Sequence, residues 1–128
     1  MTYYTLRPGT YYIGDPGRLF KKNQKATPIL ESIYDEFYKE PDKFQKIQVG
    51  MLTFYLTSTL GDGIYNGVGT DTGLIVITNI DDLTDTDTFN TNLPEVGCKY
   101  IQVLEGLDVM VHNYNIYFSN GYEIIINK

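Results

Sequence analysis

Asn120-Gly121 lies between two β-prone segments, Asn115 to Ser119 and Tyr122 to Asn127. This dipeptide is among the strongest short-range hairpin signals, because both residues tolerate the positive φ of a type I′ turn. The preceding stretch has the same character: Tyr100 to Leu104, Glu105-Gly106 and Leu107 to His112 read as another hairpin. His112-Asn113-Tyr114 then links the two into a C-terminal four-strand meander, with Val109, Val111, Ile116, Phe118, Ile124 and Ile126 as core candidates. A chain committed to antiparallel pairing over this length must pack the rest of its apolar residues onto a sheet.

The remaining segments agree. Gln45 to Thr59 is a long β-prone run in which Gly50 marks a bulge or bend. Gly61-Asp62-Gly63 is a turn, Ile64-Tyr65 begins a short strand and Asn66-Gly67-Val68-Gly69 is a loop. Gly73 to Thr78 is a continuous apolar run, the pattern of a strand buried on both faces. One helix is signalled over about residues 28–39. Thr27 serves as its N-cap and Pro28 takes the first helical position, where a missing N–H costs nothing. Ile29, Leu30, Ile33, Tyr34 and Phe37 share one face, and Pro41 ends it. Asp81 to Asn92 reads as an exposed acidic loop, and its aspartates do not match an EF-hand. The expected fold is mainly β: residues 1–128 as a single domain of seven or eight strands. They would form a small barrel or a strongly curved antiparallel sheet with one packed helix.

The most chemically varied stretch is Gly9 to Arg18. Thr10 to Ile13 suit a pleated strand, and Gly14-Asp15-Pro16-Gly17 stops it. The structural reading of Asp15 is an Asx-turn that closes the strand. The functional reading is a polar site of Asp15, Arg18 and the N–H groups of the glycine turn. Arg18, Lys21, Lys22 and Lys25 cluster just after it, a set that attracts phosphate or an acidic surface, or simply forms a solvated loop. Asp62 and Asp71 sit on other glycine turns and are the candidates to complete such a site.

Charge and composition narrow the classes. The net charge of −6 argues against a general nucleic-acid binder. The distribution is uneven: eight basic and six acidic residues fall in 1–46, two basic and ten acidic in 47–128. Twelve tyrosines with no tryptophan suit either a tyrosine-rich sheet or a sticky binding face. Cys98 and His112 are each the sole residue of their type, so no disulfide and no cysteine or histidine metal site is expected, and Cys98 reads as a buried thiol. No P-loop or dinucleotide fingerprint is present, and no cofactor is expected. No apolar leader or membrane span is evident, so a soluble intracellular protein is expected.

Pro8-Gly9-Thr10-Tyr11-Tyr12-Ile13-Gly14-Asp15-Pro16 resembles the opening of a diffuse group of small phage and bacterial proteins of unknown function, which begin with a Y-I-G-D-P-C-Y strand and turn. Gly61-Asp62-Gly63 and Asp71 to Ile77 resemble that group's glycine-rich segment and buried strand. This chain departs at Gly17 and Arg18, where the group has cysteine and an aromatic. The resemblance implies a phage or viral origin and no particular activity.

Three functions follow as expectations. The first is a non-enzymatic binding or accessory protein, phage- or virus-encoded, acting by protein–protein contacts as a host-factor inhibitor or minor virion component, with self-association through sheet edges. The candidate edges are Ile47 to Leu56 and Tyr122 to Asn127. The second is a nucleotide or phosphate site using Asp15, Arg18, Lys21, Lys22, Asp62 and Asp71. The third is a metal-dependent hydrolase built on Asp15, Asp62 or Asp71.

Overall fold

Leu74–Asn79 is buried along its whole length, and the molecule is layered about it. The computed structural model describes residues 2–128. Its strands are β1 (Tyr3–Leu6), β2 (Gly9–Gly14), β3 (Gln45–Val49), β4 (Leu52–Ser58), β5 (Gly63–Tyr65), β6 (Val68–Thr70), β7 (Leu74–Asn79), β8 (Lys99–Val103), β9 (Leu107–His112), β10 (Asn115–Phe118) and β11 (Glu123–Ile124). Two helices, α1 (Pro16–Leu19) and α2 (Thr27–Phe37), precede β3.

One antiparallel sheet has the order β3-β4-β7-β2-β8, another β1-β9-β10-β11, and β5-β6 form a separate hairpin. The five-stranded sheet is the middle layer, and the period of two along its strands shows it. Tyr11, Ile13, Tyr55, Ile75 and Ile77 face one core cluster with Val109, Ile116, Phe118 and Ile124 of the other sheet. Tyr12, Phe54, Leu56, Leu74 and Val76 face a second cluster with Leu19, Phe20, Ile33 and Phe37 from the helical side. The fold is therefore mainly β with one main helix, and its curved sheets stack rather than close into a barrel.

The sheets are joined at a corner. β1 pairs with β9 and β2 with β8, so Leu6 opposes Leu107 and Gly9 opposes Val103. Arg7-Pro8 on one chain segment faces Leu104-Glu105-Gly106 on the other, and the extra residue bends the ribbon from one sheet into the next. Glu105-Gly106 is thus a corner and not a hairpin turn. The C-terminal sheet is four-stranded, but its fourth strand is β1 instead of β8.

Turn chemistry differs from expectation in the same way. Asn66-Gly67 and Asn113-Tyr114 are the two-residue turns with positive φ at both positions, joining Tyr65 to Val68 and His112 to Asn115. At Asn120-Gly121 only the glycine has positive φ (93°), and Phe118 N–H bonds Tyr122 O across a three-residue connection. Gly50-Met51 is a hairpin tip and not a bulge. Ile47 to Leu56 is therefore two strands, of which β3 is an edge and β4 lies inside the sheet. With that run split in two and β1 and β6 added, the seven or eight expected strands become eleven among the described residues.

α2 ends at Phe37 instead of Lys39, and Thr27 does not cap it. Asn23 instead closes the turn that leads into it: its Oδ1 accepts the N–H groups of Lys25 and Ala26 at 3.1 and 2.8 Å. The segment expected to be a solvated acidic loop is packed. Thr88 and Phe89 are buried, and Phe89 pairs with Phe20 through an isolated bridge and an edge-on ring contact.

The tyrosines are largely absorbed by this architecture. Tyr4, Tyr11, Tyr12, Tyr65 and Tyr100 each place the ring against apolar neighbours and donate the hydroxyl to a main-chain carbonyl. Those bonds tie loops to the sheets, using both ends of the side chain.

Candidate functional site

β2 must end at Gly14, because Pro16 cannot donate to a ladder. Asp15 then adopts extended backbone and caps α1, with Pro16 in the first turn. Its carboxylate is 2% exposed and fully engaged. Oδ1 accepts from Gly17 N–H and Thr72 Oγ1, and Oδ2 from the Asp71 backbone N–H, all at 2.9 Å. The Asp15 carbonyl in turn accepts the buried Tyr12 hydroxyl at 2.9 Å. Asp15 is a clasp between α1 and the β6–β7 connection, a wider role than the local turn that the sequence suggests.

A second set of bonds seats the segment after α1. Lys21 N–H donates to Thr88 O at 2.8 Å and Asn90 N–H to Leu19 O at 2.7 Å. Asn90 Nδ2 reaches Arg18 O at 3.2 Å, and Asn23 Nδ2 reaches Asp87 O at 2.7 Å. Residues 85–90 are thereby fastened along residues 18–23.

Between these two fastenings lies an open cleft of about 690 Å³. It is lined by Asp15, Gly17, Arg18, Phe20, Lys21, Lys22, Asn23, Asp71, Thr72, Asn90 and Leu93. Five of the six sequence candidates thus meet in one place; Asp62 is exposed and stays outside. Thr72, Asn23, Asn90 and Leu93 line the cleft without having been singled out. Thr72 and Asn23 each follow a candidate directly in sequence, whereas nothing local marks Asn90 or Leu93.

The electrostatics of the cleft are lopsided. Nearby Lys25 is paired with Asp85 at 2.7 Å. Among the described residues, Arg18, Lys21 and Lys22 have no carboxylate within salt-bridge distance. Arg18 is aimed by a bond from Nη1 to Val96 O at 2.7 Å, which leaves its other donors unassigned. Tyr34 of α2 has its phenol pushed up to about 12, first by burial and then by the negative field of Asp15, with a Thr72 hydrogen bond acting the other way. Burial likewise raises the Tyr12 phenol.

The other chemical candidates are dispersed. Cys98 is fully buried in the helix-side core, its Sγ 3.3 Å from Pro94 O, and burial pushes its thiol up. His112 is exposed at the end of β9 in the other sheet, so the two do not form a nucleophile pair. Among the described residues, no group of three or more His, Cys, Asp or Glu is arranged to hold a metal ion. Among them, too, no helix is long and apolar enough to cross a membrane.

Searches against protein-family models, curated proteins and solved structures find no match to this chain.

Proposed function

We propose that this is a binding protein whose cleft holds a phosphate-bearing ligand. One observation carries the reading: Arg18, Lys21 and Lys22 line a single cleft with no carboxylate partner among the described residues, while the buried Asp15 is already held by three donors. A guanidinium fork bonds two phosphate oxygens at once, and each ammonium adds a mobile point charge. A cleft of 690 Å³ falls within the ~300–1,000 Å³ of ordinary small-ligand sites.

Thermal-shift measurements with inorganic phosphate, pyrophosphate and nucleoside mono- and triphosphates test this. A ligand at about one hundred times its Kd stabilises the fold by ~2.7 kcal/mol, a readily measured rise in Tm. The shift is expected to vanish in an Arg18→Ala, Lys21→Ala, Lys22→Ala triple variant and to persist in Lys46→Ala. No shift with any phosphate compound, or an undiminished shift in the triple variant, refutes the proposal.

A second reading, docking of a protein partner such as a host factor or a virion component, has its own observation. Ile64 and Val96 are 77% and 74% exposed. They lie on segments joined by the bond from Gly69 N–H to Gly97 O, next to Arg18. Loss of a co-purifying partner in an Ile64→Ser, Val96→Ser variant that still binds phosphate compounds would favour it.

A further inference from the structure

Resting on that phosphate reading, we infer that the ligand is a phosphorylated polyhydroxy compound, such as a sugar phosphate or the ribose-phosphate part of a nucleotide, whose hydroxyls are received by Asp71. A site for bare phosphate gains nothing from a carboxylate, yet Asp71 lines the same cleft as the three cations. Its backbone is fixed by the 2.9 Å bond to Asp15. Its carboxylate is exposed and has no hydrogen-bond or ion-pair partner among the described residues.

An ionised carboxylate only accepts, so its complement must donate. Hydroxyls, neutral N–H groups and ammonium groups all donate. The three cations in the cleft repel an ammonium, and among neutral donors the hydroxyls of a phosphorylated polyol are those carried within a few bonds of the phosphate itself. Asn90 adds a second acceptor: its Nδ2 is directed to Arg18 O, while Oδ1 has no bond among the described residues. The cleft therefore offers donors from Arg18, Lys21 and Lys22 and acceptors from Asp71 and Asn90. That pairing matches a molecule with phosphate at one end and vicinal hydroxyls at the other. Its volume also leaves room beyond a single phosphate.

Isothermal titration with inorganic phosphate, glycerol 3-phosphate, ribose 5-phosphate, glucose 6-phosphate and AMP tests the inference on the wild type and on Asp71→Asn. Asparagine keeps the backbone N–H that Asp15 needs, so the fold is retained, which an unchanged melting temperature checks. At least one phosphorylated polyol is expected to bind about tenfold tighter than inorganic phosphate, the scale of one hydrogen bond to a charged group. Asp71→Asn is expected to erase most of that preference while leaving inorganic phosphate binding equal or tighter. AMP matching ribose 5-phosphate would place recognition in the sugar phosphate, and AMP binding tighter would extend it to the base. If inorganic phosphate binds as well as every polyol, or Asp71→Asn leaves the preference intact, the inference falls and the phosphate site stands. If no phosphate compound binds, both fall.

Discussion

Asp15 Oδ2 accepts the backbone N–H of Asp71 at 2.9 Å, joining residues 56 positions apart. This bond brings α1 and the β6–β7 connection together, and so sets the cations of residues 18–22 beside Asp71 and Thr72. A buried carboxylate with three donors is a structural element, and the cleft's binding chemistry falls to the residues around it.

Asp15→Ala is therefore expected to destabilise the protein. It removes the α1 cap and leaves the N–H groups of Gly17 and Asp71 without an acceptor, and the hydroxyl of Thr72 with only Thr70 Oγ1 at 3.3 Å. A lost cap costs ~1 kcal/mol, and each stranded buried donor adds ~1–3 kcal/mol where water cannot reach it. Urea denaturation should show a loss of roughly 2–4 kcal/mol. A loss below about 0.5 kcal/mol, the range of an ordinary surface substitution, would contradict the clasp.

Gly14→Ala tests the packing beneath the same turn. A Cβ there would lie 2.6 Å from Tyr12 Oη, 2.7 Å from Tyr12 Cζ and 3.0 Å from Cys98 Cβ. Tyr12 is fully buried and bonded to Asp15 O, so it has no free space to retreat into. Overpacking of this kind costs ~1–3 kcal/mol. Calorimetry should show a Tm several degrees lower, and an unchanged Tm would mean that the Tyr12 ring is not held as described.

The elements that local chemistry specifies were legible in the sequence. β7 showed as an uninterrupted apolar run because both its faces are covered, and α2 showed through its period. β1 did not, because its partner lies about a hundred residues away: Thr5 bonds Asp108. The corner at Glu105-Gly106 was hidden because a bent ribbon and a hairpin use the same turn residues, and only the pairing of β8 with β2 tells them apart. The site followed the same rule. The Arg18–Lys22 charge cluster was visible, but Asp62 and Asp71 occupy glycine turns of similar local character. What separates them is the tertiary bond from Asp71 to Asp15. Asn90 enters through its backbone pairing with Leu19, which leaves no local pattern at all.

Cys98 should behave as an inert core thiol. It is fully buried, and burial raises its pKa, so little thiolate forms and reagents have no access. Native protein is expected to resist a thiol-specific chromogenic reagent at pH 8, with full reaction once denaturant unfolds it. Reaction in native conditions within seconds would place Cys98 at the surface and contradict the packing of the helix-side core.

Alkaline pH should unfold the protein in a window set by its buried phenols. Tyr34 is raised from 10.0 to about 12, and Tyr12 is raised as well, both chiefly by burial. Below pH 10 these phenols are protonated in folded and unfolded chains alike, so their contribution to stability is complete. Between pH 10 and about 12 the unfolded chain loses their protons while the folded chain keeps them. The unfolded state then binds fewer protons, and stability falls as pH rises. Absorbance at the phenolate band should show the exposed tyrosines titrating first and a later fraction appearing together with loss of the folded circular-dichroism signal. Tyr34→Phe removes one of the late groups, so its stability should fall less steeply over this window than that of the wild type. Equal slopes would mean that Tyr34 titrates as freely in the folded protein as in the unfolded chain.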